Sequence, residues 1–274
     1  MERLQKTILV AWDFSNVAEY AMQHAIRFAT TIGSTMVTLL HIVDDEKDVS
    51  NAMAQLKVVA DDAEKKYNFK PEVLAVKGDI FSTIKEVAHD LNCPFVFMGT
   101  HGMKGLQKIT GSWALKVIEG SNCPFIVVQR PPRDEHFEDI VCSIGYRKED
   151  KQKVSWAVYM NKYFKSNFHL YVQKSNDSKL KLQIYSNLVH VKSVLDQNKI
   201  EYSVVEGAGS NDFADEVIEY ANKMNANAIL VSTSKELDFS DYMFGAIEQK
   251  IIGNKYGISA ITVLPSAGRL TGFN

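Results

Sequence analysis

The chain has 274 residues, of which 46% are hydrophobic, and its formal net charge is −2. This length and apolar content suffice for one large core or for two cores of ordinary domain size. Because there is no basic excess, neither a nucleic acid nor an anionic membrane is an expected partner. No apolar run is long enough to span a bilayer and the first residues do not form a signal-peptide pattern, so we expect a cytoplasmic protein.

Strands and helices alternate along the first half of the chain. Short apolar runs predict buried strands at residues 7–12, 36–43, 72–76, 95–98 and 125–128. Helical apolar spacing predicts helices at residues 16–33, which Ser15 or Asn16 can cap, at 48–67 and 81–91, and from Ser112 onward. This alternation is typical of a parallel sheet between two layers of helices, and right-handed crossovers restrict it to a doubly wound fold.

The second half of the chain repeats this order. Residues 129–136 form a cluster of prolines and charges of the kind that separates domains. After it, strand patterns recur at residues 139–144, 168–172, 202–205, 228–231 and 260–264. The chain is thus an internal repeat of roughly 135 residues. We predict an α/β protein made of two tandem, doubly wound, five-stranded parallel-sheet domains of Rossmann-like type, at residues 1–132 and 137–274.

The predicted fourth strand opens into a glycine-rich loop. It reads Gly99-Thr-His-Gly102, and after eight residues a second small pair, Gly111-Ser112, begins a helix. Glycines let backbone N–H groups approach an anion closely, and a helix N-terminus offers unpaired N–H donors. This strand, loop and helix start are therefore suited to a phosphate, to which Ser112 and His101 could add side-chain donors.

This stretch resembles the nucleotide loop of the universal stress protein family, written G-x2-G-x9-G-[ST], within the adenine nucleotide alpha-hydrolase-like superfamily. The spacing here is one residue shorter, and tandem two-domain members are a known form of the family. The resemblance implies an ATP or adenine nucleotide site, with Mg²⁺ as a possible companion, in the first domain. Asp13 would lie at its adenosine end, with Ala11 and Ile42 beside the base. The phosphate residues would be Gly99, His101, Gly102, Gly111 and Ser112.

The second copy of the loop differs from the first. Ser232 and Lys235 stand where the loop glycines would be, and Ala246 follows Gly245 where a hydroxyl would be. Gly145 or Tyr146 falls opposite Asp13. We therefore expect the second domain to be degenerate for nucleotide. The resemblance implies that it serves as a built-in partner in an intrachain pseudo-dimer, residues 125–128 pairing with 260–264; a further homodimer is left open.

Two questions remain open at this point. Asp13 either contacts a ligand or only caps the helix that follows it, as carboxylates commonly do. The whole protein either binds nucleotide and regulates or protects under stress, or is a nucleotide-free interaction scaffold that acts through unknown protein partners. A third hypothesis, an enzyme of the wider adenine nucleotide alpha-hydrolase group, would need a further catalytic motif, and we find none in the sequence. No activated nucleophile or acid and base pair accompanies the glycine loop, so we predict no catalytic residue and at most slow ATP hydrolysis.

Other residues have plainer interpretations. Trp113 is predicted to be a core residue, and His41 a packed residue or one at the solvent edge. Cys93 and Cys123 begin two strands that would be neighbours, within reach of a disulfide or a metal. Because no Cys-x-x-Cys or histidine cluster accompanies them, we interpret both as small buried hydrophobic residues, with no metal site.

Overall fold

The computed structural model of the chain describes residues 6–33, 36–100, 111–119, 121, 123–133, 137–209, 212–233 and 247–263. The strands are β1 (Thr7–Ala11), β2 (Met36–Val43), β3 (Glu72–Lys77), β4 (Val96–Gly99), β5 (Phe125–Val128), β6 (Asp139–Ile144), β7 (Asn167–Val172), β8 (Tyr202–Glu206), β9 (Ala228–Ser232) and β10 (Ser259–Val263). The helices are α1 (Asn16–Ile32), α2 (Val49–Tyr67), α3 (Ile80–Asp90), α4 (Gly111–Ile118), α5 (Val154–Phe164), α6 (Ser178–Gln197), α7 (Phe213–Lys223) and α8 (Ile247–Ile252). The predicted strands are confirmed with shifts of one residue at several ends.

All ten strands form one sheet in the order β3-β2-β1-β4-β5-β10-β9-β6-β7-β8. Neighbouring strands are parallel within each half, and the same order, third-second-first-fourth-fifth, occurs in both halves with opposite direction across the sheet. The predicted α/β fold with a doubly wound parallel sheet is confirmed.

The two halves meet through one antiparallel pair of strands at the middle of the sheet. In β5 and β10, Phe125 lies opposite Thr262 and Ile126 opposite Ile261. The hydroxyl of Thr262 also donates to the carbonyl of Phe125 at 3.2 Å. The predicted pairing of the last strand of each half is therefore confirmed over the described residues.

Helix α1 shows how local sequence sets the first crossover. The hydroxyl of Ser15 accepts a hydrogen bond from the Ala18 N–H at 3.2 Å, which caps the N-terminus. Gly33 ends the helix in the left-handed conformation, with φ of 81°, which glycine adopts without strain. Between these caps the buried side of the helix carries Ala18, Ala21, Met22, Ala25, Ile26, Phe28 and Ala29, as its apolar spacing predicts.

Each face of the sheet is covered by helices from both halves. One apolar core includes buried residues of α1, α2, α5 and α6, and the other includes residues of α3, α4, α7 and α8. Across the junction, the Phe95 ring lies 5.0 Å from Trp156 and 5.5 Å from Tyr159, and the Phe28 ring lies 4.8 Å from Phe164. The halves therefore share their apolar cores as well as a sheet.

One core assignment was wrong. Trp113 is 41% exposed, because it lies on the outer side of α4, where its ring contacts Phe81 at 5.3 Å between centroids. Cys93 and Cys123 are buried free thiols, as interpreted from the sequence. Within the described residues, no helix is both long and apolar enough to cross a membrane.

Candidate functional site

The candidate site lies at the carboxyl edge of β1 and β4. These two strands are parallel neighbours, with Ala11 opposite Met98, so the residues that follow each strand emerge side by side. The strand order reverses here, because β2 follows β1 on one side of the sheet and β4 adjoins it on the other. Open α/β sheets bind ligands in the crevice at such a reversal.

Asp13 is exposed at this edge, immediately beyond β1. Its Oδ1 accepts hydrogen bonds from the Ser15 N–H at 3.0 Å and from the Ser15 hydroxyl at 2.5 Å. Since that hydroxyl in turn caps α1, Asp13 stabilises the start of the helix through Ser15. The N-cap itself is Ser15, and Asp13 supports it indirectly; a ligand contact by the exposed carboxylate stays a prediction.

The two residues predicted to flank the base lie on one face of the sheet. Ala11 is opposite Leu40 in the register of β1 and β2, and Ile42 follows two residues later on the same face of β2. Both are half-buried and pack against the core beneath α3 and α4. The structure thus brings Ala11 and Ile42 to the same side of the edge.

Gly99 ends β4 where the backbone of α1 comes very close. A Cβ at this position would lie 2.3 Å from the Val17 carbonyl oxygen and 2.9 Å from the Ala18 nitrogen. Real Cβ atoms essentially never approach backbone so closely, so packing against α1 already requires glycine here. A phosphate role for Gly99 stays a prediction beside this structural reason.

The remaining predicted phosphate residues are only partly described. Gly111 and Ser112 are the first two residues of α4, as the sequence predicts for a pair at a helix start. His101 and Gly102 lie outside the described residues, as does the rest of the loop through residue 110.

Sequence reasoning missed Phe14, next to Asp13. Its φ is 61°, a left-handed value that is unusual for a bulky residue, and its side chain is 40% exposed. The ring lies 4.8 Å from that of His41, whose Nδ1 is 2.8 Å from the Trp12 carbonyl oxygen. An exposed aromatic ring at the rim of the candidate site is a candidate ligand contact. Apolar spacing could not predict it, because a positive φ leaves no signal in that pattern.

The equivalent edge of the second half is filled by the chain's own side chains. The Lys153 ammonium is fully buried, donates to Asp150 Oδ1 at 2.7 Å and also contacts the Ser143 carbonyl oxygen. The other carboxylate oxygen of Asp150 accepts from the N–H of Gly145, one of the two positions that fall opposite Asp13, at 2.7 Å. A buried ion pair therefore stands beyond β6, whereas an exposed carboxylate stands beyond β1.

A second ion pair lies at the same carboxyl edge of the second half. Arg147 pairs with Glu248 at the start of α8, and the Asn187 amide donates to the carbonyls of Gly145 and Arg147 at 2.8 and 2.7 Å. Burial raises the pKa of Glu248, and the Arg147 guanidinium offsets part of that rise. The cavity left between these groups measures about 20 Å³, room for roughly one water molecule.

Comparisons with known proteins found similarity in the first half of the chain, by sequence, and along nearly the whole chain, by structure. The model of the universal stress protein family matches residues 5–129. Of two universal stress proteins of Methanocaldococcus jannaschii, one is 29% identical over 47% of this chain and 98% of the relative, and the other 30% identical over 48% and 87%. A universal stress protein structure from Archaeoglobus fulgidus covers 95% of this chain and 99% of its own, at 16% identity and a TM-score of 0.72. The likeness to that structure shows the same fold along nearly the whole chain.

Proposed function

Because this chain belongs to the universal stress protein family, we propose that its N-terminal half binds ATP or a related adenine nucleotide and that it regulates or protects in the cytoplasm under stress. The observation that carries the proposal is the arrangement of residues at the carboxyl edge of β1 and β4. There the exposed Asp13 lies beside the end of β4, which leads into the glycine loop, and Gly111 and Ser112 begin α4. We further propose that the nucleotide changes which proteins this chain binds.

Each residue has a distinct part in the proposed site. The Asp13 carboxylate accepts hydrogen bonds from ribose hydroxyls, while Ala11 and Ile42 contact the base. Backbone N–H groups at Gly102 and Gly111, with the Ser112 hydroxyl and His101, bind the phosphates, whose charge a Mg²⁺ ion would partly neutralise. Gly99 contributes less to phosphate binding, since packing against α1 already explains why this position is glycine. No hydrolytic step belongs to the proposal.

The second half, residues 137–274, is proposed to be a partner domain without nucleotide. Its carboxyl edge holds the Lys153–Asp150 and Arg147–Glu248 pairs, and the cavity that the described residues leave there, about 20 Å³, is smaller than a nucleoside. Residues 1–132 would then form the nucleotide-binding domain. The expected stoichiometry is one nucleotide per chain.

The test combines mass spectrometry with thermal unfolding. Small molecules released from the freshly purified, denatured protein should include adenine nucleotide at close to one per chain. Titration with ATP and Mg²⁺ should raise the melting temperature to saturation, because a ligand that binds only the folded state stabilises it.

Matched variants locate the site. Gly111→Val should abolish the nucleotide-linked rise in melting temperature, whereas Gly245→Val, at the corresponding position of the second half, should retain it. A protein that carries no nucleotide and keeps the same melting curve in ATP would contradict the proposal.

The alternative is a nucleotide-free scaffold of the same fold. It is favoured by the glycine loop, which has eight residues between its two glycine pairs where the family pattern has nine. Under this alternative neither Gly111→Val nor Gly245→Val changes the response to ATP, and the protein acts through partner proteins alone.

A further inference from the structure

The solvent side of α6 carries a stripe of large apolar side chains. Leu182, Tyr185 and Val189 are 70%, 65% and 47% exposed. At about 100° per residue, these three positions fall within an arc of about 60° on the helix surface. Single exposed apolar residues are ordinary on proteins, whereas three aligned along one helix face form a contiguous apolar stripe, a feature typical of interaction surfaces.

Lysines border this stripe on both sides. By the same helical spacing, Lys181 and Lys192 lie on one side and Lys179 on the other, where Lys151 also donates to the Ser186 hydroxyl at 2.9 Å. None of these four lysines forms an ion pair within the described part of the chain. An open groove of about 560 Å³ runs along this end of the helix, between Lys148, Lys151, Lys179 and Leu182.

The internal repeat supplies a comparison for this surface. Helix α2 occupies the corresponding place in the first half, on the same face of the sheet. Its solvent side is mainly polar, with Val58 as its one large apolar side chain exposed beyond a third among the described residues. Several of its charges are paired, such as Lys65 with Asp62, and Asp61 with Lys70 just beyond the end of the helix. The fold therefore does not itself require an apolar stripe on α6.

We propose that α6 docks an acidic, amphipathic helical segment of a partner protein. The apolar side of such a segment would cover Leu182, Tyr185 and Val189, and its carboxylates would pair with the bordering lysines. A membrane surface is less well matched, because the opposite side of α6 is buried in the core and only a narrow stripe is free to insert. Nucleotide binding in the other half is not part of this proposal.

The probe is a synthetic helical peptide of about 18 residues, five turns, with leucine at positions i, i+3 and i+7 and glutamate at flanking positions. Its binding to the full chain is followed by fluorescence anisotropy. We expect saturable binding that weakens as salt rises. The double variant Leu182→Ser with Tyr185→Ser should weaken it roughly tenfold or more, as the loss of central apolar contacts does at interfaces. Val58→Ser, at an equally exposed position of α2, should leave it unchanged.

A second variant keeps the test valid if the first alters folding. Lys179→Glu with Lys181→Glu leaves the stripe intact and should weaken binding of the acidic peptide. Equal binding by wild type and both variants, or equal binding of a scrambled peptide of the same composition, overturns the proposal.

Two other results also overturn it. A concentration-dependent dimer that both variants lose would make a second copy of the chain the occupant. Flotation with anionic phosphatidylglycerol vesicles that both variants lose, without binding of the peptide, would make the occupant a membrane.

Discussion

The Val17 carbonyl oxygen lies where a side chain of Gly99 would be, 2.3 Å from the position of a Cβ. This contact places the first turn of α1 directly against the end of β4. It joins the loop that carries Asp13 to the strand that leads into the glycine loop. The two parts of the proposed nucleotide site are thus positioned by packing that involves no ligand.

Gly99→Ala should therefore destabilise the protein whether or not nucleotide is bound. The added methyl group meets backbone, which cannot rotate away, and overpacking of this kind costs about 1–3 kcal/mol or more. Gly33→Ala is the matched control, since Gly33 has space around it and only its φ of 81° opposes a side chain, at about 1 kcal/mol. Urea unfolding in the absence of ATP measures both. If Gly99→Ala costs no more than the control, α1 moves away readily and the packing argument is wrong.

Because His24 is buried, the free energy of unfolding should fall as the pH becomes mildly acidic. The side chain is 5% exposed, and burial lowers its pKa from 6.5 to about 4, although the Arg130 carbonyl, 3.1 Å from Nε2, partly favours the protonated ring. Between these pKa values the unfolded chain binds the proton and the folded chain does not, so the free energy of unfolding rises with pH through the window. The slope from this one group reaches about 1.4 kcal/mol per pH unit.

The measurement is the free energy of unfolding in urea from pH 6.5 down to about 4. His24→Gln removes this titration, so its pH dependence should be shallower than that of the wild type. His190→Gln removes an exposed histidine and should retain the wild-type slope. Equal slopes for all three proteins would show that His24 titrates normally.

Asp150→Asn should be strongly destabilising. It removes the negative charge beside the fully buried Lys153 ammonium, and a buried charge without its partner costs about 3–5 kcal/mol. Asp62→Asn breaks an exposed pair with Lys65 and should cost less than about 1 kcal/mol. Adding Lys153→Met to Asp150→Asn should recover part of the loss. A small cost for Asp150→Asn would mean that water reaches Lys153.

The three thiols should react slowly in the native protein. Burial raises the pKa of Cys93 to about 12, and those of Cys123 and Cys142 to about 11, so little thiolate forms near neutral pH. Ellman's reagent should modify all three cysteines in urea and few in buffer. Rapid native modification of one or more thiols would show that the core around those thiols opens to solvent.

Much of the fold could be predicted from local patterns. The caps of α1 at Ser15 and Gly33 followed from residue type and spacing, whereas the pairing of β5 with β10 followed from the resemblance to the universal stress protein family together with the repeat. The exposure of Trp113 did not, because its apolar character says only that it prefers burial. At the site, Asp13 and the start of α4 could be placed, while Phe14 could not.

The sequence by itself determined the order of the strands and helices, the tandem repeat and the glycine loop, since these depend on periodicity and on backbone freedom along the chain. Only the tertiary structure decided what fills the space around them. Val17 leaves no room for a side chain at Gly99. In the second half, the Lys153–Asp150 pair fills the edge at which Asp13 of the first half is exposed. Such contacts depend on how elements distant in sequence pack together, because whether a given side chain is buried, paired or exposed is set by its neighbours in space.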